Sequence, residues 1–154
     1  MLYHEMIESP IGRLVLIANN KALLEIKFHN SPVTPPYSNK ANWIINHTKK
    51  ELDEYFLGKR EEFTMPLDPI GTEFQKKTWQ KLLEIPYGTT ISYQELALKM
   101  GDARKSRAVG SANGKNPIPI IIPCHRVINK NGKLGGYAGG LDVKEFLLNL
   151  ESAN

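Results

Sequence analysis

Ile120-Ile121-Ile122-Pro123-Cys124-His125-Arg126-Val127 is an apolar run that leads into the only cysteine of the chain, set between a proline and a histidine. A thiolate is the attacking form of cysteine, and a neighbouring base has to make it. A lone cysteine serves equally well as a small buried hydrophobe, so the pair takes its meaning from what flanks it. Upstream, a short helix predicted from Lys105 or Ser106 to Gly114 carries Ala108, Gly110, Ser111 and Ala112, all small, and Arg107 as its one long cation. Such a face permits either close helix packing or close approach of its backbone to a ligand. Helices that read base edges in the major groove usually project several long polar side chains. Downstream come the turn signal Asn131-Gly132 and the glycine-rich Gly135-Gly136-Tyr137-Ala138-Gly139-Gly140, which lacks phosphate-loop spacing.

The last helix is predicted to open on a capping box from Asp142 to Glu145, with Val143, Phe146, Leu147 and Leu150 as its apolar stripe. Glu151 falls at the edge of that stripe, where spacing alone favours the rim. Further upstream, Thr72 with Gln75 and Ser92 with Glu95 form two more capping boxes. The first heads a helix whose buried face is Phe74, Thr78, Leu82 and Leu83, ended by Pro86-Tyr87-Gly88. The second places Tyr93 in the first turn of a helix over 93–100, closed by Gly101. Two short helices joined by about four residues suggest a helix-turn-helix.

The N-terminal part reads differently. Leu14–Ile17 and Leu23–Phe28 are strand-like, with Asn19-Asn20 between them and Ser9-Pro10-Ile11-Gly12 as a turn before. A prolyl loop is predicted over Ser31–Asn39 and a helix over 41–57, with Ile44, Ile45, Thr48, Leu52, Tyr55 and Phe56 on one face and Gly58 as its stop. A short strand is predicted at Phe63-Thr64-Met65, and Asp68-Pro69-Ile70-Gly71 as a connector. His4, His29 and His47 are scattered and read as surface residues. The expected architecture is α+β: a small α/β subdomain over 1–69, then a mainly helical one over 70–154.

Composition is that of an ordinary globular chain, with 41% hydrophobic and 23% charged residues in 154. No apolar run approaches a membrane span, and the first residues do not read as a signal peptide. One cysteine forbids an internal disulfide or a multi-cysteine zinc site and fits a reducing compartment. The net charge of +4 is unevenly spread: residues 1–85 are neutral, while 99–133 hold eight bases against Asp102 alone. That excess around the cysteine suits either a solvated basic face or a polyanion such as nucleic acid.

Arg107-Ala108-Val109-Gly110, Asn116-Pro117, Ile122-Pro123-Cys124-His125-Arg126-Val127 and Gly139-Gly140-Leu141 together resemble the O6-alkylguanine-DNA alkyltransferases. The likeness is strong over about 70–154 and slight over 1–69. It implies a ribonuclease-H-like N-terminal α/β part and a C-terminal DNA-binding part that works from the minor groove, flips the damaged nucleotide and needs no cofactor or metal. Cys124 would be the alkyl acceptor, His125 its base through a water, Glu151 the group orienting His125, and Asn116 a brace. Tyr93 would hydrogen-bond the flipped guanine and help protonate it. Arg107 would fill the vacated stack, with Ala108, Gly110, Ser111 and Arg126 also at the DNA. Pro119, Tyr137 and Ala138 would wall the pocket; some relatives have serine at the position of Ala138. The implied reaction is single, irreversible transfer from O6-alkylguanine, and more weakly O4-alkylthymine, in double-stranded DNA. The implied protein is a monomer without membrane partners, cytoplasmic, or nuclear in a eukaryote. A cysteine hydrolase built on Cys124, His125 and Asn116, and a non-catalytic damage binder, are the other classes compatible with these residues.

Overall fold

The computed structural model describes residues 1–28 and 42–152, so the prolyl loop Ser31–Asn39 and His29 lie outside the described residues. The chain divides into two compact units, Met1–Ile70 and Gly71–Asn154. In the first, β1 (Tyr3–Ile7), β2 (Leu14–Ala18) and β3 (Leu23–Phe28) form an antiparallel sheet in chain order. Registers run from Tyr3 opposite Ala18 to Ile7 opposite Leu14, and from Leu14 opposite Phe28 to Ala18 opposite Leu23. Both connections are local turns. Gly12 N–H donates to the Ser9 carbonyl at 3.0 Å with Gly12 at φ 101°, a conformation glycine adopts without strain. Asn19 Oδ1 accepts from Lys21 and Ala22 N–H, both at 2.8 Å.

The helix expected over 41–57 forms as α1 (Trp43–Phe56), and it packs across all three strands. Asn42 caps it by accepting from Ile45 N–H at 2.9 Å, and its own amide donates to the Asn19 carbonyl. Its buried face is Ile44, Ile45, Thr48, Glu51, Leu52 and Tyr55, so Glu51 is inside and Phe56 is not. Glu51 tolerates this because Thr64 donates to it twice, from N–H at 2.8 Å and from Oγ1 at 2.7 Å, and Arg60 lies at 3.2 Å. The strand expected at Phe63-Thr64-Met65 therefore does not form: the backbone N–H of Thr64 serves a carboxylate, and only Leu67 makes an isolated bridge, to Leu23.

In the second unit, α2 (Glu73–Leu83) starts on the complete Thr72–Gln75 capping box. Its buried residues are Thr78, Trp79 and Leu82, whereas Leu83 is half exposed. Trp79 takes the place foreseen for Leu83 because its indole N–H donates to the Ala112 carbonyl at 2.8 Å, fixing α2 against α4 (Ser106–Gly114). α3 (Tyr93–Lys99) also starts on a complete box, Ser92–Glu95. Residues 100–105, including a 3-10 turn at Ala103–Lys105, join α3 to α4. Two strands unseen in the sequence, β4 (Ile91–Ser92) and β5 (Val127–Ile128), pair in parallel, Ile91 opposite Val127 and Ser92 opposite Ile128.

α5 (Leu141–Ser152) begins one residue before Asp142, so the third capping box does not form. Lys144 N–H bonds the Gly140 carbonyl at 3.1 Å, which already places Asp142 inside the first turn. The buried residues of α5 are Lys144, Leu147 and Glu151, one continuous stripe that holds two charges. Val143 and Leu150 are only partly covered, and Phe146 is exposed. All five helices are too short or too polar to cross a membrane among the described residues.

Candidate active site

The β4–β5 pairing sets the geometry. Each of its strands is two residues long, with α3 leaving from Ser92 and the 3-10 turn Cys124–Arg126 arriving at Val127. Tyr93 and the cysteine turn are thereby brought side by side from thirty-one residues apart in sequence. The approach to that turn is bent. Ile120 holds φ 74°, the one non-glycine residue with positive φ among those described, and it is buried. A β-branched residue occupies that region only where its surroundings impose it. Asn116 supplies the constraint: its Nδ2 donates to the Ile122 carbonyl at 2.7 Å and its Oδ1 accepts from Ile118 N–H at 3.0 Å. Ile122 N–H in turn bonds the Ile118 carbonyl at 2.9 Å.

Cys124, Tyr93, Asn116, Pro119, Tyr137 and Ala138 line one pocket of about 510 Å3. Its lining also includes Ser106, Gly110, Asn113 and Gly114 from α4, and Gly135, Gly136 and Asn129 from the loop beyond the cysteine. α4 therefore has two faces. Ser106, Gly110, Asn113 and Gly114 turn to the pocket, and a Cβ on Gly110 would lie 3.6 Å from Cδ1 of the Tyr93 ring. Arg107, Ala108 and Ser111 are exposed on the other. Gly110, which the resemblance set at the DNA together with Ala108 and Ser111, accordingly stands at the pocket wall.

Behind the cysteine lies a buried triad of His125, Glu151 and Arg126. His125 is 0% exposed and its Nε2 donates to Glu151 Oε2 at 2.7 Å. Because the carboxylate can only accept, the imidazole proton sits on Nε2, leaving the Nδ1 lone pair free; Nδ1 is buried and makes no hydrogen bond among the described residues. Arg126 grips the same carboxylate with Nε at 2.8 Å and one terminal nitrogen at 3.0 Å, and spends the other on the Ile85 carbonyl at 2.8 Å. It also lies over the Tyr87 ring. This corrects the expectation that Arg126 contacts DNA: at 6% exposed, with its guanidinium committed on both sides, it has no group to offer a phosphate. Glu151, by contrast, points inward, against what its spacing favoured.

Burial sets the protonation states. It pushes the Cys124 thiol up to about 11, against smaller opposing effects of Asn116 and Lys144. Burial likewise lowers His125, and Glu151 only partly restores it, so the imidazole is neutral at pH 7. Burial would raise Glu151, but the hydrogen bonds from His125 and Arg126 outweigh it and hold the carboxyl at about 2. Tyr93 is raised by burial and by Cys124, so its phenol keeps its proton. The site thus holds a protonated thiol, a neutral base with a fixed tautomer, a permanent carboxylate and a protonated phenol.

Two residues here escaped the sequence reading. Lys144 is fully buried, and its Nζ donates to the carbonyls of Val127 at 2.7 Å, Leu134, and Gly136 at 3.3 Å, tying the glycine-rich loop to β5. Burial lowers it to about 8. The signal was its spacing: Lys144, Leu147 and Glu151 recur at helical intervals on one face. Asn113 is the other, a buried amide in the pocket wall whose Nδ2 lies 3.4 Å from the Cys124 carbonyl.

Two family models match the chain: "6-O-methylguanine DNA methyltransferase, ribonuclease-like domain" over residues 2–69, and "6-O-methylguanine DNA methyltransferase, DNA binding domain" over residues 73–153. A methylated-DNA–protein-cysteine methyltransferase of Methanosarcina barkeri is 49% identical over 99% of both chains. One from Mycobacterium leprae is 43% identical over 98% of this chain and 93% of its own. Among solved structures, the O6-methylguanine methyltransferase of Mycobacterium tuberculosis superposes with a TM-score of 0.90 at 42% identity, covering 99% of this chain and 94% of that one. The structure of the Mycobacterium tuberculosis OGT in complex with DNA gives 0.92 at the same identity, covering 98% and 93%.

Proposed function

Since the chain belongs to the 6-O-methylguanine DNA methyltransferase family, we propose that it repairs DNA by transferring the alkyl group of O6-alkylguanine to its own Cys124. The observation that carries this reading is the placement of the single cysteine in the wall of a pocket able to hold a base, with a neutral, carboxylate-held histidine next to it in the chain. With a thiol near 11, only about one site in ten thousand is ionised at pH 7, so attack needs a local base. His125 Nδ1 takes the thiol proton, relayed by a water, and Glu151 stabilises the imidazolium that results. The sulfur then bonds the alkyl carbon as the carbon–O6 bond breaks. The electron pair leaves with guanine, and the Tyr93 phenol gives a proton to the leaving base. The product is a thioether, a poor leaving group, so the protein acts once and the acceptor needs no cofactor.

Access to the base requires flipping from double-stranded DNA. Arg107, Ala108 and Ser111 form the exposed side of α4, slim enough for the minor groove, with Arg107 filling the gap in the stack. Pro119, Tyr137 and Ala138 wall the pocket around the base, and O4-alkylthymine is a poorer substrate. A hydrolase reading is disfavoured because the Asn116 amide is committed to Ile122 and Ile118 and does not orient His125. The test is intact mass and peptide mapping after incubation with an O6-methylguanine duplex. One methyl group on the Cys124 peptide is expected, and none in Cys124→Ser, which still binds the duplex. Methyl transfer by that variant would end the proposal.

A further inference from the structure

We propose that Lys144 is a positioning residue for the transfer: only as an ammonium ion does it lock residues 134–136 to β5, so its protonation, rather than that of the thiol, sets the upper pH limit of the reaction. The inference rests on the reading that Cys124 accepts the alkyl group. Lys144 lies in the first turn of α5 and is 0% exposed. Its Nζ donates to the carbonyls of Val127 at 2.7 Å, Leu134, and Gly136 at 3.3 Å. A buried ammonium without a counter-ion is costly, and an apolar side chain of similar length would fill the same stripe at less cost. The charge therefore calls for a use that packing does not give.

The partners show what that use is. All three are carbonyls, which can only accept, so they take every hydrogen an ammonium has. A neutral amine has two hydrogens and a lone pair, and one carbonyl would then face the lone pair. Both ends of the clamp belong to the site. Val127 follows the cysteine turn directly and pairs with Ile91, two residues before Tyr93. Between Leu134 and Gly136 runs Gly135 at φ 73°, so near Tyr93 that a Cβ there would lie 3.1 Å from the phenol oxygen. Lys144 thus ties together the cysteine turn, the start of α3 and the glycine-rich loop.

The groups around Lys144 leave its charge unpaired. On the cysteine turn, its charge favours the deprotonated forms of Cys124 and His125. Further along α5, Glu151 is taken by His125 and Arg126, and the flanking Asp142 and Glu145 are exposed. The loop brings Tyr137 and the exposed Lys133, and α3 brings Tyr93, which keeps its proton. Burial, offset only by Cys124, holds Lys144 at about 8, below the ordinary lysine value. The clamp is therefore made below about pH 8 and lost above it. The thiol runs the other way: at about 11, its ionised fraction grows throughout this range. A rate limited by the thiol rises with pH, and a rate that needs the clamp falls.

The experiment measures single-turnover transfer at saturating substrate from pH 7 to pH 9.5, for wild type and Lys144→Met. Each is given an O6-methylguanine duplex and, separately, the free O6-benzylguanine deoxynucleoside, which needs no DNA surface. Wild type should slow by about tenfold or more across that range on both substrates, with its circular dichroism unchanged. Lys144→Met should be about tenfold slower at pH 7 and show no fall at higher pH. A wild-type rate that stays level or rises overturns the proposal without any variant having to fold. So does a fall that tracks unfolding, or one seen with the duplex alone, which would belong to DNA binding. A Lys144→Met protein that matches wild type at pH 7, or keeps the alkaline fall, overturns it too. Failure of wild type to methylate Cys124 at every pH would remove the underlying reading instead.

Discussion

A carboxylate as deeply buried as Glu151 persists only because three donors meet it: His125 Nε2 and two nitrogens of Arg126. Removing one partner of such a pair strands the rest, which costs more than the pair itself contributes. The acid dependence follows from the depressed carboxyl. Its folded value near 2 lies below the ordinary carboxylate value, so the stabilisation is complete above about pH 4.5 and is lost as the pH falls toward 2. The size is at most about 3 kcal/mol for this group, which is almost wholly shielded from solvent. We expect Glu151→Gln to lose about that much stability at pH 7 and under about half of it at pH 3. Urea unfolding of both proteins at the two pH values measures it, and a pH-independent difference would show that the carboxylate's charge is not what is lost. Transfer should also slow, because a glutamine stabilises an imidazolium far less well.

At the scale of elements, the site hangs on where helices begin. Tyr93 is the first residue of α3, and the Ser92–Glu95 box fixes that start with hydrogen bonds of 3.0 and 3.2 Å. Ser92→Ala should cost about 1 kcal/mol of stability, read from the denaturation midpoint. It should also lower transfer more than an equal loss at the Thr72 cap, which holds no pocket residue. Equal effects of the two cap variants would mean that the start of α3 does not govern Tyr93. These boxes were legible because a cap and its partner lie three residues apart. The stripe on α5 departs from an apolar pattern because its buried positions are Lys144, Leu147 and Glu151, two of them charged. The β4–β5 ladder was invisible since it joins two residue pairs far apart in the chain with no strand-like run on either side. Arg107 belongs to this scale too, through the exposed face of α4. If Arg107 fills the vacated stack as proposed, Arg107→Ala should slow transfer from duplex O6-methylguanine strongly and slow reaction with free O6-benzylguanine, which needs no flipping, much less. Equal losses in one preparation would assign Arg107 to the pocket or the fold.

For the whole molecule, charge distribution and the reaction's end point make separate demands. The basic residues between 99 and 133 are mostly spread over the surface, apart from Arg126, which is spent internally. That is why composition could point to a polyanion yet could not say which cations face it: the burial of one arginine depends on Glu151, which lies twenty-five residues further on. Binding through distributed phosphate contacts should weaken steeply with salt, and no single lysine should dominate it. The proposed transfer, in contrast, ends at one atom. Once the sulfur carries an alkyl group it has no thiol proton left for His125 to take, and the buried thioether offers water no easy displacement. Among 154 residues there is no second cysteine to receive the group. With O6-methylguanine duplex in growing excess, methyl transferred per chain should therefore rise to one and stay there. Quantifying methyl groups by intact mass against total protein, at several substrate excesses and long times, tests this directly. A value that keeps climbing would mean that the thioether is released or that another residue accepts, and either would replace single transfer with turnover.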